Sequence, residues 1–427
     1  MKIKNAELSA SPPKFHRVRQ SFDATCLSDV AGETRRQLEN SGVQIPKGKS
    51  IAITAGSRGI DNIAIIIRET VKWVAECGGK PFIVPAMGSH GGATAKGQTY
   101  ILEKFGITEE KMGCPIRSSM DVVQIKAPGI PAAVFMDKLA YQSAGVILIN
   151  RIKPHTEFHG DYESGLVKML SIGLGKHAQA LAIHAYGQPG LHDLMPRIAK
   201  RLLDTKKILL GVGILENAYD KTHTIRAIPA NRIMQEEKKL LEFAYTLMPS
   251  LPLDDVHVLI VEEMGKNISG TGMDPNIIGQ RYRTVHRTRT RDPHIEMLIC
   301  RDLAKGTKGN ATGMGFADII PQNFFKKIDF RVTYENVRTA SAMTVGKMPM
   351  VAKDDREAWE WALRGACVTD SRKARVARIR NTLDLGEILV SDALLKDVLK
   401  RPNTKLVERN ISLFGSGRKM AVFKTGH

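Results

Sequence analysis

Alternating strand and helix signals place this chain among the α/β proteins, as two α/β domains of which the first has a mainly parallel sheet flanked by helices. Three observations predict this. Short apolar runs at residues 50–54, 81–84 and 146–149 are separated by stretches whose apolar residues recur at helical spacing. The first two of these runs feed a glycine-bearing loop and then a helix, the pattern of βαβ units. A chain of 427 residues also exceeds what one core ordinarily supports. The expected division is 1–250 and 251–427, the second domain closing over a site in the first, with the last residues free to return to the first domain.

In order, residues 1–20 are polar and proline-containing and read as an arm. After the strand at 50–54, AGSRGID turns into a helix in which Ile60, Ile63, Ala64, Ile67, Val71 and Val74 recur until Gly78 and Gly79 stop it. Residues 81–84 form a second strand, MGSHGG a second glycine loop and 94–105 a second helix. Strands at 121–125 and 146–149 follow, then helices at 178–183 and 194–203, a strand at 208–214, and a helix from Asn231 to about Leu247. MPSLPLDD, with Pro249 and Pro252, is the linker. Beyond it, strands at 256–261, 295–300 and 374–380 accompany helices at 323–328, 357–364 and 391–399. The basic run RYRTVHRTRTRD at 281–292 reads as a solvated loop or edge.

Lys and Arg number 63 against 44 Asp and Glu, a net charge of +19 that suits nucleic acid, an anionic membrane surface or small anionic substrates. The basic residues are spread along the chain, and aromatics are only 6% and not interleaved with arginine, which speaks against base stacking. Cys26, Cys77, Cys114, Cys300 and Cys367 never form a C-x-x-C pair. That usage fits a reducing cytoplasm and neither a disulfide framework nor a zinc–cysteine site. The N-terminus lacks an apolar leader and no run of about 18 apolar residues occurs, so a cytoplasmic protein without a membrane span is expected.

Chemistry concentrates between Asn150 and His192, where 43 residues hold five of the twelve histidines. His155 and His159 follow a strand closed by Pro154, at the carboxyl end where open α/β sheets bind ligands. Lys168 lies among Ser164, Gly165, Leu166, Val167, Met169 and Leu170, small or apolar neighbours that desolvate an ammonium and favour covalent chemistry. The plain alternative is a solvated charge. His184, sixteen residues on, is a candidate ligand for nickel, zinc or copper.

GVGILE at 211–216 has Glu216 where a dinucleotide fingerprint needs its last glycine. LSIGLGKH at 170–177 fails as a phosphate loop at both Leu170 and His177, and neither H-E-x-x-H nor G-x-S-x-G occurs. Two loops survive. In AGSRGID, Arg58 stands where a strand feeds a helix N-terminus, so N–H groups and a guanidinium could hold a carboxylate or phosphate. In MGSHGGATAKGQ, His90 has the corresponding place in the next unit. Neighbouring parallel strands put such loops on one rim, so Arg58, His90 and His155 should converge. Other classes stay open: a zinc-type metal hydrolase in which His155, His159 and His184 activate a water, and a non-catalytic anion- or nucleic-acid-binding protein driven by charge.

The order of Arg58 in a strand–helix loop, His90 in G-S-H-G, P-H at 154–155, S-G-x-x-K at 164–168 and a histidine sixteen residues later resembles the lactate racemase family. The resemblance spans about residues 50–190 and is most specific in the Lys168–His184 spacing. It implies an isomerase, a 2-hydroxyacid racemase or epimerase, using a nickel-pincer nucleotide (nickel pyridinium-3,5-bisthiocarboxylic acid mononucleotide) joined to Lys168 through a thioamide. It further implies His184 as the protein's ligand to nickel, Ser164 and Gly165 beside the cofactor, His90 and His155 as paired acid/base residues, and Arg58 beside the substrate carboxylate.

The partners so implied are a small anionic 2-hydroxy acid and the proteins that synthesise the cofactor, with neither nucleic acid nor membrane; a homo-oligomer is compatible with it. Three extra residues, DYE, separate P-H from the lysine, which keeps His159 open as second base beside His155. Leu166 and Val167 stand where the family pattern has a glycine and a basic residue. In the second domain MGKNISGTGMDPN at 264–276 matches the substrate-contacting segment loosely, with Lys266 as the carboxylate contact. The substrate class extends from lactate to larger sugar acids and dicarboxylates.

Overall fold

The computed structural model describes residues 12–156, 158–279, 293–339, 342–415 and 417–423. The chain forms two compact units: Asp23–Met248, and the chain up to Phe22 together with the chain from Pro249. β1 (Phe15–Gln20) therefore lies with the C-terminal half. The inserted unit holds β2 (Ser50–Ala55), β3 (Lys80–Pro85), β4 (Val122–Ile125), β5 (Val134–Asp137), β6 (Gly145–Arg151), β7 (Ile208–Glu216) and β8 (Thr222–Pro229).

Five of these strands make one sheet in the order β3-β2-β6-β7-β8, parallel except for the antiparallel β7/β8 edge. Its strands are near-continuous apolar runs because both faces are covered. Ile51, Ile53, Ile147 and Ile149 pack with Ile63, Ile66, Ile67, Val71 and Val74 of the Ile63–Glu76 helix. The alternate residues Ala52, Val146 and Leu148 pack on the other face with Leu166, Ile183, Ile198, Leu202 and Leu241. Period-two alternation thus sorts the strand side chains between two helical layers. Each aliphatic side chain so buried contributes roughly 1.5–3 kcal/mol.

The strand expected at 121–125 does not join this sheet. β4 pairs only with β5, as a separate antiparallel hairpin with Val122↔Asp137 in register. Its residues VVQI bury only Ile125, too little apolar surface for a two-faced parallel strand. The outer edge of β3 instead takes a single parallel bridge from Ile116. β8, whose THTIRAIP buries mainly alternate residues, had no counterpart in the sequence reading.

The other unit is built on β9 (Asp255–Val261), β10 (His294–Cys300), β11 (Ile319–Pro321), β12 (Met350–Ala352), β13 (Val376–Ile379), β14 (Glu387–Ser391) and β15 (Thr404–Ile411). Its eight-stranded sheet runs β12-β11-β10-β9-β13-β14-β1-β15. The first five strands are parallel and the last three antiparallel. A division at residue 250 therefore needs correcting at its start: β1, read as an arm, is an interior strand between β14 and β15 because its buried Phe15 and Val18 complete that sheet. The last described residues stay with this unit through β15 and a Phe414–Met420 bridge. Trp359, on the Asp355–Gly365 helix, is buried in its core. The basic run at 281–292 lies outside the described residues. No described helix is long and apolar enough to cross a membrane.

Candidate active site

β3, β2 and β6 are adjacent parallel strands, so their carboxyl-end loops share one rim. Arg58 follows β2, His90 follows β3 and His155 follows β6. Side-chain contacts tie these loops together. Ser57 Oγ, next to Arg58, hydrogen-bonds His90 Nδ1. Gln98 Nε2 donates to Gly88 O at 2.9 Å and to His90 O at 3.3 Å, which fixes the glycine loop beneath the imidazole. Gly88 has φ 58°, and a β-carbon there would lie 3.5 Å from Ile172 of the segment beyond Lys168. Arg58 differs from its expected setting: the helix begins at Ile63, after Asn62 at φ 60°, so Arg58 belongs to the loop itself and not to the helix N-terminus.

The third loop is closed at its neck, where Lys153 and Ser164 exchange main-chain hydrogen bonds of 2.9 and 3.2 Å. Inside it, Glu163 accepts the His155 N–H at 2.6 Å and the Gly160 N–H at 3.2 Å. Tyr245 Oη donates to Glu163 Oε1 at 2.8 Å and lies 2.6 Å from His159 Nδ1. His159 is thus buried and turned toward Glu163 and Tyr245, while His155 faces the lysine.

Lys168 ends a short helical turn, Leu166–Lys168, that runs into a wider π-type turn at Met169–Gly173. The turn is anchored twice. Asn150 Nδ2 donates to Gly165 O at 2.8 Å, and the Glu237 carboxyl accepts the Val167 N–H at 2.9 Å. A β-carbon at Gly165 would stand 2.2 Å from Glu237 Oε1, so only glycine lets that carboxyl cap the turn. Lys168 Nζ reaches His155 Nε2 at 2.6 Å. Burial, reinforced by the positive charges of Lys168, Arg58 and Lys153, holds the His155 imidazolium well below the usual histidine range. His184, the last residue of the Lys176–His184 helix, is half-buried; burial and then the Lys168 charge push its proton affinity down. Both imidazoles therefore favour the neutral form that can accept a proton or bind a metal.

Lys168, His155 and His184 lie within one electrostatic neighbourhood, with Arg58 acting on His155 and His90 joined to the Arg58 loop. His159 stands apart in its own hydrogen-bonded cluster. Among the described residues no three His, Cys, Asp or Glu side chains gather as a metal-ligand set, which a zinc site on His155, His159 and His184 would require.

Sequence reading missed Glu163, Tyr245, Glu237, Asn150, Ser57, Gln98 and Lys176. Glu163 could have been suspected as a lone carboxyl between Gly160 and Gly165 in the richest stretch of the chain. Tyr245 and Glu237 give no local signal, being some 70–86 residues from what they touch.

Fold and site together define an α/β protein with a lysine–histidine site at the carboxyl rim of a parallel sheet. No protein-family model and no curated protein sequence matches the chain. Among solved structures it is similar to the lactate racemase apoprotein from Thermoanaerobacterium thermosaccharolyticum, at 13% identity over 84% of this chain and 99% of that one, with a TM-score of 0.48.

Proposed function

We propose that this chain is a 2-hydroxyacid racemase or epimerase that carries a nickel-pincer nucleotide on Lys168. The observation behind the reading is the 2.6 Å contact of Lys168 Nζ with His155 Nε2, on a rim shared with Arg58 and His90, the lysine's charge also lowering the proton affinity of His184. A half-buried lysine whose amine meets an imidazole has a general base at hand, the arrangement by which enzymes activate an amine as a nucleophile. The donor set also fits the group. A metal that brings its own sulfur and carbon donors needs one protein ligand, and His184 is a desolvated imidazole that, among the described residues, belongs to no cluster of three or more His, Cys, Asp or Glu side chains.

When bound, the group supplies an electron-poor ring able to accept a hydride, which suits a substrate whose C2 hydrogen is hardly acidic beside a carboxylate anion. The chain's own residues do the rest. Arg58 pairs with the carboxylate of the substrate and fixes its C2 over the site. His155 and His90, on the loops to either side of the one that carries Arg58, accept and return the hydroxyl proton at O2, one for each face. His155 is the better second base: its ring meets Lys168, the proposed anchor of the cofactor, whereas the His159 ring is buried against Tyr245 and Glu163.

The test is intact-mass and peptide mapping of protein made together with the cofactor-synthesis proteins, followed by incubation with one enantiomer of lactate, malate or a sugar acid. An adduct on Lys168 and appearance of the opposite enantiomer are expected. Protein without an adduct under those conditions ends the proposal.

A further inference from the structure

We propose that Glu163 is the positioning residue for His155, acting as a buried brace that sets where the imidazole stands and not how strongly it holds a proton. This rests on the functional reading above. The Glu163 side chain is fully buried and both its oxygens are used. Oε2 accepts the main-chain N–H of His155 at 2.6 Å; Oε1 accepts the Gly160 N–H at 3.2 Å and the Tyr245 hydroxyl at 2.8 Å. Hydrogen bonds to a carboxylate are among the stronger ones, and this one is made by the very residue whose ring meets Lys168.

Tyr245 extends the brace. Its hydroxyl hydrogen is committed to Glu163, so its oxygen accepts from His159 Nδ1 at 2.6 Å. Because Tyr245 stands on the Ile233–Leu247 helix, the loop is tied to an element packed against the sheet and does not rely on its own neck alone. That neck, the Lys153–Ser164 pair, closes the loop on the other side. The carboxylate touches the backbone of His155 and not its ring, whose proton affinity is lowered by burial and by Lys168, Arg58 and Lys153. The lysine side of the contact is held separately, by Asn150 and Glu237. Loss of Glu163 should therefore move His155 and leave Lys168 in place.

The decisive comparison uses crystal structures of unloaded wild-type and Glu163→Ala protein. His155 Nε2 is expected to stay within hydrogen-bonding distance of Lys168 Nζ in the first and to move by about 1 Å or more in the second; misplacement of that size typically costs about 100-fold in rate. In loaded enzyme, Glu163→Ala should lower kcat by about 100-fold, leave KM within about threefold, leave the adduct on Lys168 and leave the midpoint of the pH–rate profile in place. Glu163→Gln, which keeps one acceptor oxygen, should recover kcat to within about tenfold of wild type. An unmoved imidazole, or a pH midpoint displaced by a unit or more, overturns the proposal. Should Glu163→Ala not fold, Glu163→Asp, which draws the carboxylate back by one methylene, and Tyr245→Phe carry the same comparison, and an unchanged kcat and His155 position in both would overturn it. Wild-type protein with neither adduct nor racemisation would defeat the functional reading instead, while the two crystal structures would still decide the role of Glu163.

Discussion

His155 and Glu237 illustrate opposite uses of burial. Desolvation and three cations keep the His155 imidazole neutral at physiological pH, where it can accept a proton. On the proposed reading, His155→Ala and His90→Ala each reduce racemisation by at least about 100-fold in enantiomer-exchange assays, as loss of a general base does. His159→Gln, whose ring serves only the brace, stays within about tenfold. Burial drives the Glu237 carboxyl up to about 8, against the opposing main-chain hydrogen bonds of Val167 and Leu166. The folded state thus holds a proton that the unfolded state releases near the ordinary carboxyl value of 4.5, so stability falls as pH rises from about 4.5 to about 8. Glu237→Gln should flatten that fall, by up to about 1.4 kcal/mol per pH unit in urea titrations at pH 5 through 8. An unchanged slope would mean the carboxyl ionises freely. Arg58, His90, His155, Lys168 and His184 were legible as candidates because each sits at a strand end or in a small-residue setting. Glu237 was not, since a carboxyl on an amphipathic helix looks solvated until the fold turns it inward.

The elements around the site are pinned by a second lysine. Lys176 lies eight residues from both Lys168 and His184, at φ 55°, with its Nζ fully buried. It donates to Pro85 O at 2.5 Å, where β3 ends, contacts Gln98 Oε1 at 3.2 Å and pairs with Asp137 Oδ2 at 3.1 Å. The segment between Lys168 and His184 is thereby joined to the loop that presents His90. Lys176→Met strands a buried carboxylate and should cost about 3–5 kcal/mol in denaturant unfolding. A loss under about 1 kcal/mol would show the pair to be dispensable. Gly165→Ala should also destabilise, by about 1–3 kcal/mol, because the new methyl meets the Glu237 carboxyl. At this scale the sequence was readable wherever burial imposed a period: β2, β3, β6 and the Ile63–Glu76 helix follow from apolar spacing. It was silent where pairing is set by distant partners. β1, with FHRVRQ, carries too few apolar residues to declare itself, and β4 has the length of a parallel strand without the apolar faces.

At the scale of the whole chain, Asp23–Met248 is an insertion between β1 and the rest of its sheet. Because its five-stranded sheet and both helical layers lie inside that span, residues 23–248 expressed alone should unfold in one cooperative transition; a gradual, non-cooperative melt would show that it needs the remainder of the chain. The flanking unit has no such independence in time. Phe15 pairs with Ser391 and Ile411, so β1 leaves the ribosome first and meets its neighbours last. At roughly 5–20 residues per second, the intervening synthesis takes on the order of 20–75 s. Throughout that interval an unmatched strand trails from an already finished globule, a window in which chaperones or a neighbouring nascent chain compete for its open edges. Messages truncated shortly before codon 387 should accordingly yield aggregates, whereas residues 23–248 made without β1 should yield dispersed protein.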